Sequence, residues 1–70
     1  MISYRPFWET LKREKVSTYA LIFQHHISSS RITRIRKGEA ITTTSIDELC
    51  RILHCRVEDI IEYVEDEPPE

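Results

Sequence analysis

Between Ser28 and Gly38 the chain reads Ser-Ser-Ser-Arg-Ile-Thr-Arg-Ile-Arg-Lys-Gly. Only two kinds of chemistry are on offer there: hydroxyls that donate or accept hydrogen bonds, and permanent positive charge. If Ile32 and Ile35 turn inward on a helix, the helical period places Ser29, Ser30, Thr33, Arg34 and Lys37 on or near the opposite face. Short hydroxyls in the first turn let a helix end approach a surface closely. Arg34 carries a planar fork that matches paired acceptors, such as O6 and N7 of guanine. Arg31, Arg36 and Lys37 supply charge with no acid between Glu14 and Glu39 to neutralise it. They suit phosphate oxygens better than base edges. A basic stretch on a helix is commonly only a solvated face, so its surroundings must decide.

Charge along the whole chain is the first of those surroundings. The net charge is −2, yet residues 1–38 carry +6 and residues 39–70 carry −8. A chain that needed only solubility would mix its signs. This one is a dipole whose basic half can face a polyanion while the acidic half is held away.

Seventy residues allow one domain, with no room for a deep catalytic pocket beside a core. Apolar residues are 40% of the chain, enough for one compact core. No apolar run approaches the roughly 18–20 residues of a membrane span. The start, Met1-Ile2-Ser3-Tyr4-Arg5-Pro6, has no apolar leader behind it, so the reading is a cytoplasmic protein without a membrane partner. Cys50 and Cys55 stand alone as C-x4-C, and His25, His26 and His54 do not complete a metal-ligand pattern. Cys50 reads as a small core residue and Cys55 as part of a connection, with no metal and no cofactor expected. Ser, His and Asp occur, but the serines sit at helix starts and no glycine-rich elbow or phosphate loop is present, so the chain is read as a non-enzyme.

The elements that must position the basic face follow from caps and periodicity. Pro6 opens a helix over about 6–15, with Phe7, Trp8 and Leu11 as its stripe. The two aromatics read as core or rim. Ser17 caps a second helix near 18–25, with Leu21 and Ile22 inward. After a link of two or three residues ending at Ile27, Ser28 caps the third helix, 29–37. Gly38, the single glycine, ends it in the left-handed conformation. Ile41 anchors a loop. The run Thr42-Thr43-Thr44-Ser45 caps a fourth helix, and Ser45-x-x-Glu48 fits a capping box. Ile46, Leu49, Cys50 and Leu53 recur at the helical period. Val57, Ile60 and Ile61 indicate a short fifth helix near 57–63. Nothing reads as a strand. The domain is placed at residues 1–64 and an acidic disordered tail at 65–70. Tyr63 and Val64 either complete the core or form an apolar patch for a partner subunit.

Two short helices joined by a tight link make a helix-turn-helix, whose second helix enters the major groove. On Ser17-Thr18-Tyr19-Ala20-Leu21, on Ile27 through Glu39, on Leu49 through Cys55 and on Val57 through Tyr63, the chain resembles the Cro/cI-type (Xre family) regulators. It is most similar to the short single-domain members found in Gram-positive bacteria and their mobile elements. The resemblance implies an all-α, compact five-helix lambda-repressor-like domain that binds a double-stranded DNA operator, often as a homodimer, and controls transcription. By position it implies base contacts from Ser29, Ser30 and Arg34, a backbone contact from Thr18 and another from Lys37. Thr33, on the same face, joins the base readers, and Ser28, Arg31 and Arg36 join the backbone contacts. The sequence departs from the family at His26, where many relatives have glycine, and at Ile22, where a small residue is usual. The expected function is a sequence-specific regulator, a repressor. The alternatives are a protein-interaction module or an antitoxin-like regulator that binds a protein through its acidic half.

Overall fold

A computed structural model describes residues 1–65 of the chain. Four α-helices and a two-stranded antiparallel pair surround one core. The elements are β1 (Ile2–Ser3), α1 (Arg5–Glu14), α2 (Thr18–Phe23), α3 (Ser29–Lys37), α4 (Thr43–Leu53), a 3-10 turn at Val57–Asp59, and β2 (Glu62–Tyr63).

The caps act as their residue types require. Ser17 Oγ accepts from the Ala20 N–H, Ser28 Oγ from Arg31 and Thr42 Oγ1 from Ser45, each satisfying an N–H that the helix itself leaves open. Gly38 sits at φ 76° and returns its N–H to Arg34 and Ile35, as its lack of a side chain permits. Lys15, His26 and His54 take the same left-handed turn without being glycine. Lys15 and His54 cap the ends of α1 and α4, His26 lies in the link after α2, and each holds a conformation that costs an L-residue energy.

The core is built from one face of every helix: Phe7 and Leu11 from α1, Leu21 from α2, Ile32 and Ile35 from α3, Leu49 and Leu53 from α4. Tyr4, Ile27 and Ile60 close it from the connections. Trp8 is half-buried at its rim, edge-on to Phe7, and Ile22 packs from the side rather than the centre. Thr10 is buried, and its hydroxyl donates to the Asp59 carbonyl at 2.7 Å, which ties α1 to the 3-10 turn. The Tyr4 hydroxyl donates to the Glu39 carbonyl at 2.6 Å and anchors the loop after α3.

Four sequence expectations are corrected. The fifth helix near 57–63 is not formed. Only Val57–Asp59 coils, as a single 3-10 turn, and Ile60 is fully buried after it. The chain then extends, because its backbone finds partners in the N-terminal segment: Ser3 pairs with Glu62 and Ile2 with Tyr63. The second correction follows, since a strand pair exists where none was read. Arg5 reinforces it with a two-pronged grip on Glu62 at 3.1 and 3.3 Å. Third, α2 ends at Phe23, and residues 24–28 form the link. Gln24 caps the helix, His26 turns the chain at φ 60° two residues later, and the Ile27 N–H bonds back to the Leu21 carbonyl at 2.9 Å. Fourth, within the run Thr42–Ser45 the cap of α4 is Thr42, so the capping box Ser45-x-x-Glu48 is not formed. Ser45 lies inside the helix, buried, with its hydroxyl 3.1 Å from that of Thr42. Glu48 is thereby released from capping.

Tyr63 is 71% exposed and Val64 is exposed beside it, so neither completes the core. Of the expected acidic tail, only Glu65 falls within the described residues. Among those residues, no helix is long and apolar enough to cross a membrane.

Candidate nucleic-acid interface

The third helix occupies the predicted residues, 29–37, with the predicted cap and stop. Ile32 and Ile35 are almost fully buried, which fixes the rotation of the helix about its axis. Ser29, Ser30, Thr33, Arg34 and Lys37 are all exposed on the other side. Among the described residues, neither Arg34 nor Lys37 has an ion-pair partner. Their charge is therefore available to a ligand.

The hydroxyls of this face are partly committed. Thr33 Oγ1 donates to the Ser29 carbonyl at 3.0 Å, which leaves its methyl and its acceptor lone pairs outward. Ser28 Oγ caps the helix and lies 3.3 Å from Ser30 Oγ. Ser28 is thus a structural residue first. Thr18 stands at the opposite end of the helix pair, half-buried in the first turn of α2.

The two arginines at the edges of α3 go to different helices. Arg31 is half-buried and donates through Nη1 to Glu48 Oε2 of α4 at 2.7 Å. Arg36 leans the other way and lies over the Trp8 ring of α1, with 5.6 Å from its guanidinium carbon to the ring centroid. An indole holds a cation without neutralising it. The carboxylate of Glu48 does neutralise. Arg36 therefore keeps its charge for a ligand, whereas that of Arg31 is already countered. Neither Trp8 nor Glu48 was singled out in the sequence for this work. Glu48 lies 17 positions from Arg31, and no local pattern signals such a pair.

Two features lie outside the basic face. Tyr19 and Phe23 stack on the exposed side of α2 with ring centroids 4.5 Å apart. Cys50 and Cys55 are free, half-buried thiols at the end of α4, and burial raises the pKa of both, that of Cys55 to about 11. Among the described residues no group of His, Cys, Asp and Glu could hold a metal ion.

The arrangement is a helix-turn-helix: α2, a five-residue link, then an exposed cationic α3. Comparison with family models gives a match over residues 7–66 to the Cro/C1-type HTH DNA-binding domain. The chain belongs to that family. This Cro/C1-type domain is also similar to a solved structure, that of the transcriptional regulator VanUg. The two chains are 26% identical, the match covers 93% of this chain and 87% of that one, and the TM-score is 0.82. Comparison with curated proteins gave no match. The resemblance read from the sequence is thereby established, with four α-helices in place of the five it implied.

Proposed function

We propose that this Cro/C1-type domain is a sequence-specific, double-stranded DNA-binding transcriptional regulator, a repressor, that places α3 in the major groove. The observation that carries the proposal is the exposed, uncountered face of α3. Arg34 and Lys37 have no acidic partner among the described residues, and the hydroxyls of Ser29, Ser30 and Thr33 line the same side. Arg34 reads a base, with Ser29, Ser30 and Thr33 completing the base contacts. Lys37, Arg36 and Thr18 hold the phosphate backbone. Ser28 contributes through the helix start that it caps, and Arg31, already countered by Glu48, is the weakest of the backbone contacts.

A second copy is part of the proposal. Met1, Ile2, Tyr63 and Val64 are exposed around the β1–β2 pair, an apolar cluster that a homodimer would cover. A two-fold dimer reads two half-sites about 34 Å apart. The regulator acts in the cytoplasm, on DNA, as a single domain over residues 1–64 and without catalysis.

Selection from random duplex DNA tests the function. A bipartite motif should emerge, and its affinity should fall steeply as salt rises. The absence of any enriched motif, with no mobility shift at about 50 mM salt, overturns the proposal. A tight protein partner in place of DNA would instead support an interaction module working through the acidic half. The exposed Val57 and Tyr63 beside Glu58 and Glu62 are the surface that favours that second reading.

A further inference from the structure

Cys50 and Cys55 are the two cysteines of the chain, and the end of α4 brings them together. His54 takes the left-handed conformation at φ 51°, which folds the chain back over the last turn of the helix. The Cys55 N–H then bonds to the Cys50 carbonyl at 3.1 Å. In a helix ending of this form the side chains at the two ends of that bond meet across the turn. The two thiols do meet, and they hydrogen-bond to one another. Both are half-buried, so part of the pair stays open to solvent.

The surroundings restrict what this pair can take. Among the described residues no third ligand joins it, and two thiols are too few for a metal ion's cage. Burial raises the pKa of both, so near neutral pH they are S–H groups and poor nucleophiles. A trivalent arsenical asks for no thiolate. Its As–OH groups condense with S–H groups and release water, a neutral exchange that a high thiol pKa does not oppose. A pocket of about 260 Å³ opens beside Cys50, with the apolar side chains of Ile46, Val57 and Ile61 in its wall. Two paired thiols and one apolar recess match an arsenical with two hydroxyls and one organic group.

We propose that Cys50 and Cys55 chelate a trivalent arsenical of that class, with its organic group lodged against Ile46, Val57 and Ile61. Each thiol gives its proton to an arsenic-bound hydroxyl, which leaves as water. Two S–H and two As–O bonds break, and two As–S and two O–H bonds form. Arsenic stays trivalent, so no oxidant or reductant is consumed. The site is built from α4 and the segment after it and shares no residue with the exposed face of α3. It therefore stands apart from the DNA-binding reading.

The test titrates the unmodified chain with phenylarsine oxide, which hydrates to the phenyl member of the class. Mass spectrometry should show one arsenical per chain with two waters lost. Both thiols of the adduct should be closed to iodoacetamide, even in urea. The thiols are already paired in the folded chain, so it should bind more tightly than the unfolded chain, and Tm should rise. Cys50→Ser and Cys55→Ser should each weaken binding by about a hundredfold, the scale of a second, tethered bond. Val57 is exposed, so Val57→Glu should fold as before. It should weaken phenylarsine oxide and leave unchanged the binding of inorganic arsenite, which has no organic group. Two arsenicals per chain, a thiol of the adduct still open to alkylation, a fall in Tm or equal affinity in the single-cysteine variants would overturn the chelate. An unaltered affinity of Val57→Glu for phenylarsine oxide would overturn the seat of the organic group. If a serine variant fails to fold, the stoichiometry and the closed thiols of the unmodified chain still decide.

Discussion

Arg31 of α3 and Glu48 of α4 meet at 2.7 Å, with about a quarter of the arginine side chain exposed. This contact fastens α3 to α4 on one edge, as Arg36 over Trp8 fastens it to α1 on the other. The two tethers differ in kind. One is a charge-assisted hydrogen bond and the other leaves its cation unneutralised.

Glu48→Ala should therefore lower stability by about 1 kcal/mol, above a fully exposed pair and below a buried one. It should also release the charge of Arg31 and raise affinity for non-specific DNA. Glu48→Gln keeps a neutral acceptor and should lose less stability. Urea unfolding of the three proteins, with a salt titration of DNA binding, checks both halves. Equal stability across the three would remove Glu48 from the role given to it.

On the proposed function, variants of Arg34 and Lys37 should separate base reading from backbone holding. Arg34→Ala should relax preference at one base position, with about 1–3 kcal/mol of discrimination lost there. Lys37→Ala should weaken every sequence alike and reduce the salt slope by about 1. Repeating the random-duplex selection with each variant distinguishes the two. A motif unchanged by the loss of Arg34 would show that the guanidinium does not read a base.

His26 holds φ 60° in the link between α2 and α3. A side chain there is strained, and glycine is not. His26→Gly should raise stability by about 0.5–1 kcal/mol, the relief being partly offset by the greater freedom of the unfolded chain. For a domain of this size that is a rise of about 4–8 °C in Tm per kcal/mol. Thermal denaturation followed by circular dichroism is the measurement, and a fall in Tm would contradict the strain argument.

Cys55 has its pKa raised from 9.0 to about 11, first by burial and then by the neighbouring Cys50. The folded state thus favours the neutral thiol. The stability this contributes is whole below pH 9 and is lost as the pH climbs from 9 towards 11. Alkylation of native protein by iodoacetamide at pH 8 should be far slower than that of free cysteine, and should accelerate with pH until about 11. Rapid labelling at pH 8 would show the thiol to be less shielded than its position indicates.

The third helix was legible in the sequence because every cue for it is local. A cap at Ser28, buried isoleucines three apart and a glycine stop lie within eleven positions of one another. The asymmetry of charge was equally plain, since it needs only counting. The exact cap of α4 stayed open in the sequence for a different reason: Thr42 and Ser45 are both sound caps by type, and burial of Ser45 chose between them.

The sequence alone therefore determined the four α-helices, the rotation of α3 and the sign of its exposed face, because helical periodicity and capping act over three or four residues. Tertiary structure decided the rest. The segment after Asp59 is too short to sustain a helix by itself, so its fate depended on whether a partner strand came within reach, and Ile2–Ser3 did. The partners of Arg31 and Arg36 were likewise settled by how whole helices pack, since chain closure brings together residues that no repeat along the sequence connects.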